Sequence, residues 1–443
     1  MMPINNHKEP VKKVPISPKQ GGKEGKLQPF QSPKGMHDIL PADWPLWDKV
    51  YKAAKDVADF YNFSRIETPM LESVDLFVRG VGEVTDIVEK EMFVLKTKGG
   101  DKLALRPEFT SPVVRSYIEN GLHRLPQPLK LYYWGPVFRH EKPQAGRYRQ
   151  FNQLGFEILG GEGDPIYDSQ AIILAYRFLE ELKAKNLMVQ VNSIGCRVCR
   201  PNYKKKLIEY YKKQDICKEC EGRLEKNPLR LLDCKSDVCQ PVKLGAPSIL
   251  DSLCAACKKH FKEALEYLDE VSIPYTLNPY LVRGLDYYNR TVFEIFREGS
   301  DLAIASGGRY DYLSEMLGGR PTPATGVAAG LERVVEMLKA DLKDQNHKVK
   351  SKVFLVHVGE MTKKRALLLV EEFRKANMPV MEALGKDSLS AQLERAAKMN
   401  SPFALILGQK EAYEGSIILR DMTTGVQESI PLNKIIEEVK RRQ

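Results

Sequence analysis

Residues 138–157 read FRHEKPQAGRYRQFNQLGFE, and the fold is decided here. Two strand-like runs, 130–139 (KLYYWGPVFR) and 150–159 (QFNQLGFEIL), flank a charged loop, the pattern of a long antiparallel hairpin. Arg139 ends the first run, and Arg147 and Arg149 stand at the start of the second. A guanidinium fork binds phosphate through two parallel hydrogen bonds, and a rigid strand holds it in register. Alternation puts Phe151, Gln153, Gly155 and Glu157 on one face of the second strand. An aromatic ring, an amide and a carboxylate on one face suit stacking, hydrogen bonding and cation binding. The competing reading is an exposed amphipathic hairpin whose charges are merely solvated.

Neither GxxxxGK[ST] nor GxGxxG between a strand and a helix occurs in the chain, so side chains must do more of any work on a nucleotide. Three other segments could join the hairpin. LRPEFT (105–110) places Glu108 and Thr110 in a loop after a strand. RGLDYYNRTVFEI opens at Arg283 and ends in a strand. ASGGRYDYL from Ala305 and TGVAAGLERVVEML from Thr325 combine close-approach glycines with Arg333 in the first turn of a helix, where backbone N–H groups favour an anion.

Around these segments, 443 residues are too many for one core. Trp47, Val50, Ala54, Val57 and Phe60 recur at helical spacing between Trp44 and Tyr61, before an extended stretch, Phe63–Thr68. Helical patterns follow at 164–184, 258–270 and 329–340, and extended ones at 187–194 and 281–297. The polar stretch 341–350 reads as a linker. Beyond it, strands (353–358, 378–383, 403–407) alternate with helices (362–376, 388–399), with Leu368, Leu369 and Phe373 on an apolar side. A hairpin at 416–430 turning at Thr424-Gly425 and a helix from Asn433 complete a small separate α/β domain.

Charge and cysteine are both unevenly placed. Of a net +10, residues 1–30 carry +4, six Lys against Glu9 and Glu24, and read as a disordered basic tail. Residues 197–243 carry +6, 13 Lys and Arg against seven acids, which points to a polyanionic partner. No apolar run approaches the roughly 18 residues needed to span a bilayer, and the first 30 residues carry no secretory signal, so a reducing cytoplasm is expected. All eight cysteines lie between Cys196 and Cys257. In a reducing compartment a metal is the better reading than disulfides. Cys196-x2-Cys199 and Cys217-x2-Cys220 have tetrahedral zinc spacing, with Cys234, Cys239, Cys254 and Cys257 as a possible second site.

Taken together, residues 31–443 resemble a bacterial-type histidyl-tRNA synthetase, a class II aminoacyl-tRNA synthetase. Residues 43–75 are similar to the family's first motif, the hairpin to its second and GLERVVEML (330–338) to its third. RGLDYY and ASGGRYD are similar to two signatures of the histidine enzyme. The resemblance implies an antiparallel-sheet catalytic domain of α/β (α+β) class over 31–194 and 258–340. A Cys-rich insertion (195–257) would interrupt it, and 351–443 would bind the anticodon. It implies ATP-dependent activation of L-histidine and transfer to tRNA(His), with Mg²⁺, by a homodimer whose insertion meets the tRNA acceptor arm.

By resemblance, Arg139, Glu141, Phe151 and Arg333 would bind ATP, with Phe151 on the adenine and Arg283 at the α-phosphate. Glu108, Thr110 and Gln153 would hold the amino acid's ammonium, and Glu157 and Tyr288 its ring nitrogens, with Phe109 and Tyr287 in the same site. Phe109 stands where the family usually has glycine. Two other functions fit parts of the chain. A non-catalytic histidine-sensing paralogue normally lacks the C-terminal domain and the catalytic arginines, all present here. A zinc-dependent RNA-binding protein would account for the insertion but not for the hairpin.

Overall fold

The computed structural model describes residues 29–341, 353–385 and 388–442, and the chain divides into two compact units at 342/343. The expected basic tail, apart from its last two residues, and the expected linker beyond residue 341 lie outside the described residues.

The first unit opens with α1 (Trp44–Phe60), started by Pro45 and buried along Trp47, Val50, Ala54 and Val57, whereas Phe60, expected on the same stripe, ends the helix 77% exposed. The expected extended stretch after it shortens to β1 (Ser64–Arg65). A small sheet follows, built from β2 (Leu71–Ser73), β3 (Val94–Lys96) and β4 (Lys102–Leu105) around α2 (Val74–Val81). Next come α3 (Thr110–Glu119) and the hairpin of β5 (Leu129–Phe138) and β6 (Gln150–Leu159), paired from Leu129↔Leu159 to Phe138↔Gln150.

After α4 (Ile166–Glu181) and β7 (Leu187–Ser193), the cysteine-rich block folds as short helices: α5 (Arg200–Tyr211), α6 (Lys218–Lys226) and α7 (Cys239–Leu244). Tyr203, Leu207 and Tyr211 bury one face of α5 while Lys205, Lys206, Lys212 and Lys213 stay exposed. The chain returns through α8 (Ala255–Glu270), β8 (Tyr275–Leu277), β9 (Asn289–Arg297), β10 (Ala305–Arg309), α9 (Leu313–Met316), β11 (Ala324–Gly330) and α10 (Leu331–Asp341). Of the expected extended run 281–297 only β9 is a strand. Residues 281–288 form a loop whose Asp286 N–H bonds to the Val81 carbonyl instead of to a ladder.

Eight strands form one largely antiparallel sheet in the order β1-β5-β6-β11-β10-β9-β7-β8. Helices α1, α4, α8 and α10 cover one face, where Tyr132, Leu154, Phe156 and Ile158 point. The alternate residues of β5 and β6 face the other way, so the period-two pattern of the hairpin separates core from site. Across that second face, Gly155, Ala328, Ser306 and Glu294 lie in register on four adjacent strands. Small residues there leave the floor open.

The second unit has a five-stranded sheet, β13-β12-β14-β15-β16, from β12 (Val353–His357), β13 (Met381–Glu382), β14 (Phe403–Leu407), β15 (Ser416–Asp421) and β16 (Gln427–Pro431). Val353 and Leu355 enter one core, Phe354 and Val356 the other, so β12 is buried on both faces. On α11 (Glu360–Lys375) the buried set is Ala366, Leu369 and Phe373, whereas the expected Leu368 is 56% exposed. A position next to Leu369 lies about 100° around a helix from it. Helices α12 (Leu389–Lys398), α13 (Gln409–Glu414) and α14 (Ile435–Arg441) complete this unit. No described helix is long and apolar enough to cross a membrane.

Candidate active site

Over the open floor of the larger sheet lies a cavity with about 990 Å³ of atom-free space, mouth included. Glu108, Thr110, Arg139, Glu141, Phe151, Gln153, Glu157, Arg283, Tyr287, Tyr288 and Arg333 all line it. Phe109 does not. Its ring stacks on Tyr133 at 4.1 Å and lies beneath the Arg106 guanidinium at 3.8 Å, so it supports the wall from behind.

Buried Glu157 is held by hydroxyls. Thr110 Oγ1 donates to it at 2.8 Å and Tyr133 at 3.0 Å, and Tyr310 donates to the other oxygen. Burial nevertheless pushes its pKa up to about 8, because three neutral donors do not replace bulk water. The opposite residue, Gly326, has no room for a side chain unless Glu157 moves: a Cβ there would sit 1.7 Å from Glu157 Oε2. Gly155 is under a similar constraint, its Cβ position lying 2.2 Å from the Tyr133 hydroxyl. Tyr133 and Tyr310 escaped the sequence reading, since a tyrosine in a strand or after a glycine pair signals core as readily as site.

Glu108 accepts the backbone N–H groups of Thr110 at 2.6 Å and Ser111 at 3.0 Å, so it caps α3 from the cavity side. Its pKa is raised by burial, against those hydrogen bonds. Gln153 Oε1 is buried without a hydrogen-bond partner, an acceptor waiting for a donor.

The cationic part is built differently. Arg333 is pinned by its Nε to the Gly146 carbonyl at 2.8 Å and by Nη1 to the Ala303 carbonyl at 2.6 Å. Its pKa is lowered, by burial first and then by Arg147 and Arg139. Three guanidinium groups that repel one another are an arrangement stabilised by a bound polyanion. Arg139 Nε donates to the Pro107 carbonyl at 2.9 Å, and its charge lies 5.4 Å from the Phe151 ring centre. Arg283 bonds Ser306 Oγ at 2.7 Å and pairs with Glu294. Glu294 and Ser306 were not singled out in the sequence, because only the strand order brings them together.

The eight cysteines group otherwise than their order suggested. The ligand atoms of Cys196, Cys199, Cys254 and Cys257 form one cluster, and those of Cys217, Cys220, Cys234 and Cys239 another, each within 4.8 Å. The expected pairing of Cys196/Cys199 with Cys217/Cys220 is therefore incorrect. The block leaves the sheet after β7 and returns at α8, so its two ends meet and its middle closes on itself.

The histidyl-tRNA synthetase family model matches residues 35–215 and 224–334, and an anticodon-binding domain model matches 352–442. A histidine–tRNA ligase of Desulfitobacterium hafniense (strain DSM 10664 / DCB-2) is 45% identical over 93% of this chain and 98% of its own length. One from Dehalococcoides mccartyi (strain ATCC BAA-2266 / KCTC 15142 / 195) is also 45% identical, over 93% and 100%. The crystal structure of apo Staphylococcus aureus histidyl-tRNA synthetase matches 93% of this chain and 100% of its own, with a TM-score of 0.76 at 32% identity.

Proposed function

The chain belongs to the histidyl-tRNA synthetase family, and from this premise we propose how its own residues activate histidine and charge tRNA. It is an ATP-dependent histidine–tRNA ligase: histidine's carboxylate attacks the α-phosphate of ATP, and a ribose hydroxyl at the 3′ end of tRNA(His) then takes the acyl group. The observation that carries the residue-level reading is that a carboxylate ringed by hydroxyls and a group of mutually repelling arginines line one cavity.

In this reading the histidine ring lies toward Glu157 and Tyr288, with its ammonium among Glu108, Thr110 and Gln153. The partnerless Gln153 Oε1 supports the second assignment, as an ammonium brings the donor it lacks. Selectivity follows from Glu157: an amino acid without ring N–H groups leaves a buried carboxylate without the donor it was shaped for. ATP lies across Arg139, Arg333 and Phe151. Arg283, fixed by Glu294 and Ser306, faces the α-phosphate, where positioning and neutralisation of oxygen charge supply the rate. Glu141 would offer a hard oxygen donor to a Mg²⁺ ion brought in with ATP, whose charge would offset that of the departing pyrophosphate.

The tRNA acceptor arm meets the lysine face of α5, and the enzyme works as a homodimer in the cytoplasm. Exchange of pyrophosphate into ATP, run with each of the twenty amino acids, tests the reading. Exchange with histidine alone is expected; exchange with none, or with several, would defeat it.

A further inference from the structure

We propose that the two nested cysteine clusters each bind one zinc ion, and that the pair clamps both ends of the loop carrying Arg283, Tyr287 and Tyr288. Four sulfurs at 2.3 Å from a central ion lie about 3.8 Å from one another. The observed separations are 3.6 Å for Cys196–Cys199, 4.0 Å for Cys196–Cys254 and 3.8 Å for Cys217–Cys234. A disulfide needs about 2.05 Å, and all eight thiols are free.

Backbone N–H groups already point at the sulfurs, as they do where thiolate charge must be spread. Val198 N–H donates to Cys196 Sγ at 3.4 Å and Cys254 N–H to Cys199 Sγ at 3.1 Å. In the other cluster Ser236 N–H donates to Cys234 Sγ at 3.4 Å and Cys217 N–H to Cys239 Sγ at 3.3 Å. Soft sulfur donors in a closed tetrahedron select zinc over the harder Mg²⁺. Binding releases the four thiol protons at each site and leaves a local charge of −2, which the positive excess of residues 197–243 offsets. The family does not dictate the inner site: its first pair, Cys217 and Cys220, falls in 216–223, which the family match skips.

Each cluster is tied to the catalytic loop by one neighbouring segment. Arg200, next to Cys199, donates to the carbonyls of Ile194 (3.1 Å) and Tyr288. From the inner cluster, residues 227–233 run straight into Cys234. There Arg230 donates to the Gly284 carbonyl at 3.3 Å, and Asn227 Nδ2 to Asp286 Oδ1 at 2.7 Å. The outer ion thus fixes the end of the loop at Tyr288, and the inner ion the end beside Arg283.

The test is metal analysis of the purified full chain, where two zinc ions per chain are expected and fewer than about 0.2 would overturn the proposal. A Cys196→Ser/Cys254→Ser variant distinguishes the pairings. Nested clusters leave it one zinc, whereas clusters following sequence order would lose both. Should the variant not fold, the wild-type chain loaded with Co²⁺ must show tetrahedral tetrathiolate absorption for two ions per chain, and its absence is equally decisive. The clamp is read by hydrogen exchange. Chelating zinc should speed amide exchange across 284–288 at least tenfold, and added zinc should reverse it. Unchanged exchange would refute the clamp, and neither measurement depends on catalysis.

Discussion

Replacing Glu157 by Gln should make the first unit more stable and the enzyme worse, by amounts that depend on pH in a defined way. The side chain is 1% exposed, and its pKa is raised from 4.5 to about 8, chiefly by burial. A carboxyl group whose folded pKa lies above its unfolded one contributes its full stability below the unfolded value. That contribution is lost as pH rises toward the folded value. At pH 7 the gap is about 2.5 units at 1.36 kcal/mol each, or about 3 kcal/mol of destabilisation that Gln, neutral throughout, avoids. Against this stands about 1 kcal/mol for turning the Tyr310 hydroxyl from donor to acceptor. The variant should therefore be about 2 kcal/mol more stable at pH 7, about 1 kcal/mol less stable below pH 4.5, where only the Tyr310 cost remains, and level off at a gain of about 3–4 kcal/mol above pH 8. All three tryptophans, Trp44, Trp47 and Trp134, lie in the first unit, so urea unfolding followed by their fluorescence reports on it alone. The same change should lower kcat/KM for histidine about 10- to 100-fold, through loss of a charge-assisted hydrogen bond. A stability difference that does not change between pH 5 and 8, or a wild-type chain that is the more stable at pH 8, would refute the reasoning.

Three other substitutions separate the proposed roles. Arg283→Ala should reduce pyrophosphate exchange by about 10²–10³ while calorimetric histidine binding stays within a few-fold, and loss of that binding would mean the residue holds the amino acid. Arg333→Lys keeps the charge but loses the fork bonded to Gly146 and Ala303, so KM for ATP should rise about tenfold with little change in KM for histidine. Gly326→Ala places a methyl group 1.7 Å from Glu157 Oε2 and 2.7 Å from the Phe156 carbonyl. It should raise KM for histidine and cost about 1–3 kcal/mol in urea unfolding, and a wild-type KM would show that Glu157 is not where selectivity lies.

What could be read from the chain was whatever is periodic within one element. The hairpin declares itself because core and cavity residues alternate along β6, and α1 because its buried stripe repeats every three or four residues. The cavity's other half was less legible. Gly326, Ala328 and Gly330 also alternate, but a run of small residues shows only a close approach, not what approaches. Glu294 and Ser306 become neighbours of Arg283 only through the strand order β11-β10-β9, which no single segment encodes. Leu368 failed for a simpler reason: it lies about 100° around α11 from Leu369, beyond the stripe that Ala366, Leu369 and Phe373 bury.

The cysteines show the same limit more sharply, because their spacing was informative and still gave the wrong partners. Each pair is a local feature, and the turn that aims two sulfurs at one point is set by two or four intervening residues or so. Which pairs meet is set by where the sheet releases and recaptures the chain. Strand β7 ends beside the start of β9, and α8, into which the block runs, is held at the same place by the His260–Arg290 hydrogen bond (3.2 Å), so the block begins and ends at one junction and its first and last pairs meet there. The middle pairs are then left to each other. This ordering makes the outer cluster a consequence of the catalytic fold and the inner one an addition within it. Loss of the inner metal should therefore loosen residues 227–236 and the Arg283 end of the loop while leaving the sheet intact. Loss of the outer metal should disturb the junction with β7 itself.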